Sequence, residues 1–134
     1  KTLCLVFPKG FNYPYPTSIV QGFMFFCIIN NIKSELISQI HSLHKIKKNT
    51  AYIVVKESDL VNLIKNIRLS QLELAQEVGV LSYNDTPLKE ILSNGISVIS
   101  TDFKAMGKTA AKTIIENKSV LQKNEFKFIE RNSL

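Results

Sequence analysis

Short apolar runs alternate along the whole chain with segments of helical periodicity, and this alternation constrains the fold more than any other feature. The predicted strands cover residues 2–7, 33–40, 51–55, 78–83, 96–100 and 126–129, of which 33–40 and 126–129 alternate between apolar and polar residues. Most of them are apolar on both sides, which is typical of parallel strands that are covered by helices. We therefore predict an α/β fold: a doubly wound, mostly parallel sheet of five to six strands with helices on both faces.

Helix signals separate the predicted strands. Side chains of Ser, Thr and Asp accept hydrogen bonds from the free N–H groups of a first helical turn, so they mark helix starts. Pro87 fits the first turn of a helix that Thr86 caps, and Asn94-Gly95 favours its end. Its predicted apolar side consists of Leu88, Ile91 and Leu92. The other helices are predicted to begin at Thr17 or Ser18, at Ser58, and at Thr101 or Asp102, the last reaching Lys118.

Composition limits the class of protein. A chain of 134 residues with 45% hydrophobic residues suits one globular domain. The longest apolar run, at 23–29, is too short to span a bilayer, so we predict no membrane segment. Cys4 and Cys27 lie in apolar patterns, which indicates buried, reduced thiols and a cytoplasmic location. The net charge of +6 is scattered, and its densest cluster, at 45–48, is either a solvated loop or a phosphate contact.

Polar and aromatic side chains are concentrated where the predicted strands end, and ligands of doubly wound sheets bind at that edge. Amides and carboxylates beside aromatic rings are suited to sugars, which need paired hydrogen bonds and a stacking surface. The candidates are Asn12, Glu57, Asp59, Asn84, Asp85 and Asp102, with the aromatic residues Phe11, Tyr13, Tyr15, Tyr83 and Phe103. Structural interpretations stay open: Asp59 and Asp102 as helix N-terminal residues, residues 84–87 as a turn, and Phe103 as core.

No catalytic pattern accompanies these residues. The five glycines are isolated, which excludes the G-x-G-x-x-G and P-loop motifs. There is no H-E-x-x-H, C-x-x-C or G-x-S-x-G motif either. His41 and His44 could share a helix face as metal ligands, although a solvated loop explains them as well. We therefore predict a protein that is not an enzyme and that uses no metal or cofactor.

Two stretches carry a family resemblance. They are VGVLSYNDTPLKEIL at 78–92 and GISVISTDFKAMGKTAA at 95–111. They resemble the ligand-sensing domain of the lac/gal repressor family, which has the periplasmic-binding-protein type I fold. The closing segment FKFIERNSL at 126–134 resembles the C-terminal end of the same family. Within that family, the sequence of these stretches is most similar to sensor domains that are fused to a GntR-type winged-helix module in Bacteroidetes. The resemblance implies that residues 1–134 form a single lobe, the C-terminal one, and that the helix at 103–118 belongs to the other lobe.

The resemblance also implies roles for individual residues. Asn84, with Asp85 beside it, would hydrogen-bond the ligand, and Phe103 would stack near it. Glu57 would add a polar contact after the third strand of the lobe. Many sugar-binding members carry an arginine where this chain has Ile19, so Gln21, Ser18 or Asn12 would have to replace that contact. The predicted ligand-binding set is thus Asn84, Asp85, Phe103, Glu57, Asp102, Gln21 and Tyr13.

These observations together predict the effector-binding lobe of a cytoplasmic transcription regulator. Its effector would be a sugar, and it would reach DNA through a fused module outside this chain. The resemblance implies a homodimer formed through the helix after Ser58 and residues 86–92. An alternative is a lobe of an extracytoplasmic sugar-binding protein for transport, which a signal peptide would precede. A further alternative is an enzyme, which would need a pair of titratable groups with opposed pKa shifts at the strand ends.

Overall fold

The computed structural model describes residues 1–8, 15–119 and 121–134. Six strands form one sheet in the order β2-β1-β3-β4-β5-β6. They are β1 (Thr2–Val6), β2 (Lys33–Ile37), β3 (Thr50–Val54), β4 (Val78–Tyr83), β5 (Ser97–Thr101) and β6 (Phe126–Ile129). The first five are parallel, and β6 runs antiparallel to β5. The predicted α/β class and the mostly parallel sheet are confirmed.

Four helices in the described residues connect the strands. They are α1 (Ser18–Ile29), α2 (Glu57–Leu69), α3 (Pro87–Ile91) and α4 (Phe103–Ile115), and a short 3-10 turn at Leu92–Asn94 follows α3. Helix α1 packs through Phe23 and Cys27 on the sheet face that carries Leu5. Helix α2 packs on the other face, because alternate strand residues such as Cys4 and Val6 point that way. The helices of the described residues therefore cover both faces, as a doubly wound sheet requires.

The packing of α2 explains most of the larger core. Its residues Leu60, Leu63, Ile64 and Ile67 are buried at helical spacing, as the sequence predicts. Each contributes about 1.5–3 kcal/mol relative to an exposed side chain. The helix nevertheless begins at Glu57 and has Lys56 at its N-cap position, so the prediction that Ser58 is the cap is wrong.

The second strand is shorter than predicted, ending at Ile37 rather than at residue 40. After Ile37 the backbone forms hydrogen bonds with polar side chains of α2 rather than with a neighbouring strand. The Ile40 N–H donates to Asp59 Oδ1 at 2.8 Å, and the side-chain amide of Asn62 donates to the Ile40 carbonyl at 2.8 Å. The Asn66 amide donates to the His41 carbonyl in the same way. These bonds pull the chain out of the sheet.

The structure agrees with the prediction of buried, free thiols and with the interpretation of the basic cluster at 45–48 as a solvated loop. Cys4 and Cys27 are buried and free, and they lie in different core clusters on opposite sheet faces. Burial raises the pKa of the Cys4 thiol to about 11. In the basic cluster, Lys47 pairs with Glu35 and Lys48 pairs with Glu77. Within the described part of the chain, no helix is long and apolar enough to cross a membrane.

The C-terminal segment completes the sheet between β4 and β5. These strands are in register only from Leu81–Ser97 to Tyr83–Ile99. Beyond that point the Val80 N–H donates to the Ser133 carbonyl at 2.7 Å, and Ser133 Oγ donates to the Val80 carbonyl at 2.6 Å. The Ser97 N–H donates to Ser133 Oγ at 2.8 Å. Ser133 therefore satisfies backbone groups that the two diverging strands leave open.

Candidate ligand-binding site

The carboxyl ends of β1 to β5 meet at one edge of the sheet, and most predicted site residues follow them. Asn84 and Asp85 follow β4, Asp102 and Phe103 follow β5, and Glu57 begins α2 after β3. This edge is where parallel α/β sheets bind ligands, because loops and helix N-termini converge there. Tyr13, together with Phe11 and Asn12, lies outside the described residues.

Asn84 carries the most unusual local geometry at this edge. Its φ of 59° is in the left-handed region, which Asn tolerates better than most residues. The Asn84 N–H donates to the Ile99 carbonyl at 2.7 Å, which fixes the backbone to β5. Its side-chain Oδ1 is buried and accepts no hydrogen bond from residues 1–8, 15–119 or 121–134. A buried acceptor without a donor costs about 1–3 kcal/mol, and an external donor can compensate this oxygen only if the Asn84 side chain rotates to expose it.

Asp85 is held by the C-terminal segment. Its N–H donates to Ser100 Oγ at 2.9 Å. Its two carboxylate oxygens accept from Nη1 and Nη2 of Arg131 at 2.9 and 2.8 Å. These bonds hold the pKa of Asp85 below its ordinary value. Each oxygen keeps a lone pair, but the two-pronged contact also gives Asp85 a structural role.

Asp102 and Phe103 lie where the chain leaves β5. Asp102 Oδ1 accepts from the Ala105 N–H at 2.9 Å and caps α4, while Oδ2 accepts from Lys127 at 3.0 Å. The Ala105 N–H is the main cause of the lowered pKa of Asp102, with Lys127 adding to it. Phe103 is 49% exposed, so it is not a core residue. An open pocket of about 280 Å³ is lined by Asp85, Ser100, Thr101, Asp102, Phe103, Lys127 and Ile129.

Glu57 and Gln21 are less closely tied to this pocket. Glu57 is exposed as the first residue of α2, and Gln21 is exposed near the start of α1. Because these helices lie on opposite sheet faces, the two residues approach the edge from different sides. Neither lines the pocket beside Phe103.

A residue that the sequence reasoning missed lies beneath the Asn84 loop. Lys89 is only 3% exposed, and its Nζ donates to the Tyr83 carbonyl at 2.8 Å and to the Asn84 carbonyl at 2.7 Å. Burial lowers its pKa. The predicted apolar side of α3 is wrong for Leu88 and Ile91, which are 49% and 75% exposed, whereas Leu92 packs against the larger core as predicted. In the sequence, the only indication of the Lys89 contact is that a lysine on a short predicted helix follows Asn84 by five residues.

Helix α4 leaves its apolar side open. None of its residues is buried, and Ile114 and Ile115 are about four-fifths exposed, at 80% and 82%. Met106, Ala110 and Ile114 line an open groove of about 380 Å³ with Gln122 and Asn124. Nothing in the described part of the chain covers these side chains. That the helix at 103–118 belongs to a second lobe stays a prediction.

Comparison with known proteins identifies the domain type. A family model described as a periplasmic binding protein-like domain matches residues 27–128. No curated protein matches the sequence significantly.

Solved structures agree with this match at the level of the fold. One is a probable maltose operon transcriptional repressor from Staphylococcus aureus, with 19% identity, TM-score 0.77, and coverage of 98% of this chain and 53% of that one. The Lac repressor bound to ONPG has 16% identity, TM-score 0.75, and coverage of 100% and 45%. A periplasmic binding protein/LacI transcriptional regulator from Alkaliphilus metalliredigens, complexed with D-xylulofuranose, has 18% identity, TM-score 0.74, and coverage of 99% and 56%.

The chain spans about half the length of these structures and has the fold of one lobe. The family match covers more than half of the chain and includes β2 to β5, with the loops that follow β3, β4 and β5. The chain therefore belongs to the family of periplasmic binding protein-like domains.

Proposed function

We propose that this chain is the effector-binding lobe of a transcription regulator and that it binds a sugar at the carboxyl edge of its sheet. The Asn84 side chain would accept a hydrogen bond from a sugar hydroxyl, and the exposed ring of Phe103 would stack on the apolar face of the sugar. Asp85, Asp102, Glu57, Gln21 and Tyr13 would complete the polar contacts.

The buried Asn84 Oδ1 is the observation that carries this proposal. This acceptor has no partner in the described residues, so a rotation of the Asn84 side chain that brings the oxygen to a donating ligand would compensate it. Its position, directly after β4, is where a parallel sheet presents ligands. Two of the similar structures, the Lac repressor with ONPG and the regulator with D-xylulofuranose, hold carbohydrate-type ligands. These facts support a sugar over other small molecules.

The uncovered face of α4 supports a two-lobed arrangement. Met106 and Ile114 would pack against a second lobe, and the effector would lie between the two lobes. Binding would then favour one angle between the lobes, because the ligand contacts both lobes only in that state. The change of angle would be passed to a DNA-binding module, for which the GntR-type winged helix is our candidate.

Dimerisation would use α2 and residues 86–92. Leu88 and Ile91 of α3 are exposed apolar side chains in this region. Replacing Ile91 with Glu would place a charge in the interface without disturbing the core, since Ile91 is 75% exposed. We expect sedimentation velocity to show the natural protein as a dimer and the Ile91→Glu variant as a monomer. A variant that stays dimeric would exclude this interface.

A thermal-shift panel on the natural full-length protein tests the sugar proposal. The panel contains D-glucose, D-galactose, D-xylulose, maltose and adenosine, each titrated into the protein. A ligand that binds only the native state at one hundred times its Kd adds about 2.7 kcal/mol of stability, so the midpoint should rise with concentration. We expect one sugar to raise it.

Variants separate the site from non-specific stabilisation. Asn84→Ala and Phe103→Ala should abolish or strongly reduce the shift. Asn94→Ala is the matched control, because Asn94 is exposed in the 3-10 turn after α3. A shift that survives Asn84→Ala and Phe103→Ala would place the ligand elsewhere. A shift with adenosine alone would exclude a free sugar as effector.

A further inference from the structure

We propose that Lys89 is a positioning residue of the candidate ligand site, holding the Asn84 loop so that the Asn84 side chain meets the ligand. This inference rests on the proposed function, and it gives that site a residue that does not itself contact the ligand.

Among the described residues, the hydrogen bonds of the Lys89 ammonium go to the Asn84 loop alone. Its Nζ lies 2.8 Å from the Tyr83 carbonyl and 2.7 Å from the Asn84 carbonyl, so one ammonium binds two successive peptide groups. Such bonds from a charged donor are stronger than neutral ones. Burying a charged ammonium is costly, and a lysine is rarely buried unless its donors are used. The two carbonyls supply that compensation.

The geometry of Asn84 explains why the loop needs this support. A φ of 59° is a sparsely populated conformation for a residue other than Gly, and surrounding contacts must hold it. The Asn84 N–H is bonded to β5 on one side, and Lys89 binds the Asn84 carbonyl on the other. The peptide groups on both sides of Asn84 are thereby fixed, which fixes the direction in which its side chain leaves the backbone.

The charges around Lys89 agree with a positioning role. Glu57 and Asp85 are the acidic groups whose fields act on Lys89, and both favour its charged form. Asp85 is already engaged by two bonds to Arg131. Among the described residues the ammonium therefore has no direct ion pair, and it donates its hydrogen bonds to backbone carbonyls of the site.

Hydrogen exchange without ligand tests the positioning directly. The Lys89→Met variant keeps the apolar stem and removes the ammonium, and Lys65→Met is the control on the exposed side of α2. We expect exchange at the Asn84 and Asp85 amides to become at least tenfold faster in Lys89→Met. Exchange at Val80, in the middle of β4, should stay unchanged, which separates local loosening from general destabilisation. Unchanged exchange at Asn84, or equal acceleration at Val80, would overturn the proposal.

Binding measurements test whether the Lys89 ammonium affects the affinity for the ligand. We expect Lys89→Met to weaken binding of the sugar that stabilises the natural protein by at least tenfold, and Lys89→Arg to recover part of that loss. In an Asn84→Ala background, Lys89→Met should have almost no further effect, because it acts through Asn84. An equal loss in both backgrounds would mean a general structural role and would overturn the proposal. If the natural protein binds no sugar, the proposed function fails, and the exchange experiment still decides whether Lys89 orders Asn84.

Discussion

Replacing Arg131 with Met tests whether the C-terminal segment holds the candidate site in place. Arg131 donates two bonds to the Asp85 carboxylate, at 2.9 and 2.8 Å, and a third to the Ile96 carbonyl at 3.0 Å. Met keeps much of the apolar stem but none of these donors. The contact therefore disappears while the packing of the side chain is largely retained.

The size of the effect follows from the burial of the pair. Hydrogen bonds to charged groups contribute about 1.5–3 kcal/mol each when they are buried. Here the side chains of Arg131 and Asp85 are 16% and 29% exposed, so water replaces part of the loss. We expect the free energy of unfolding to fall by about 2–3 kcal/mol. For a domain of this size that corresponds to roughly 6–12 °C in Tm.

Urea unfolding followed by far-UV circular dichroism measures this loss, since the chain has no Trp to report on unfolding by fluorescence. Arg68→Met is the matched control, because Arg68 is exposed and its guanidinium makes one 3.4 Å contact, with Ser93 Oγ, among the described residues. We expect that variant to lose less than about 0.5 kcal/mol. If Arg131→Met loses no more than Arg68→Met, the contact does not stabilise the fold and the reasoning is refuted.

Three further predictions concern acid stability, the C-terminal segment and the thiols. The pKa of Asp85 is lowered in the native state, so its stabilising effect exists above the ordinary carboxyl pKa and disappears as the pH falls through the native value. Asp85→Asn should therefore lower stability in urea melts at pH 7, and the difference should shrink as the pH falls below the ordinary carboxyl pKa. Ser133→Ala leaves the Val80 carbonyl and the Ser97 N–H without their partner and should cost about 1–3 kcal/mol in the same melts, more than an exposed substitution such as Ser70→Ala. Cys4 and Cys27 are buried, so a thiol reagent should modify both only at the rate of unfolding, and rapid modification of the native protein would contradict their burial.

The elements that the sequence predicts best are those with strong local signals. Strand β4 occupies residues 78–83 as expected, because its apolar run is bounded by the Asn84 turn. Pro87 lies in the first turn of α3, and Asp102 caps α4 through its bond to Ala105, both of which are local effects. The α/β class follows from the alternation of such segments, so it does not depend on any one boundary.

Interactions between distant parts of the chain account for what the sequence did not predict. The early end of β2 depends on Asp59, a residue 19 positions after Ile40. Arg131 meets Asp85 across 46 positions, and no periodicity signals such a pair. In α3, periodicity predicts an apolar side that includes Leu88, and it does not predict that Lys89 is buried. In the structure, Lys89 is buried because two backbone carbonyls accept hydrogen bonds from its ammonium. The helix is also too short to bury an apolar side.

The candidate site shows the same division. The strand ends could be located from the sequence, and with them Asn84, Asp85 and Phe103. The unpartnered oxygen of Asn84 and its left-handed backbone could not, because both depend on how β5 and α3 meet the loop. These two features give the chemical reason for a ligand at this place.

Isothermal titration of the natural full-length protein with the sugar that stabilises it most tests the central claim most directly. We predict one sugar bound per chain, and binding at least tenfold weaker in Asn84→Ala but unchanged in the control variant Asn94→Ala. This result would place the ligand at the unpartnered oxygen that follows β4. Equal affinity in Asn84→Ala and the natural protein, or no binding by the natural protein, would contradict the account.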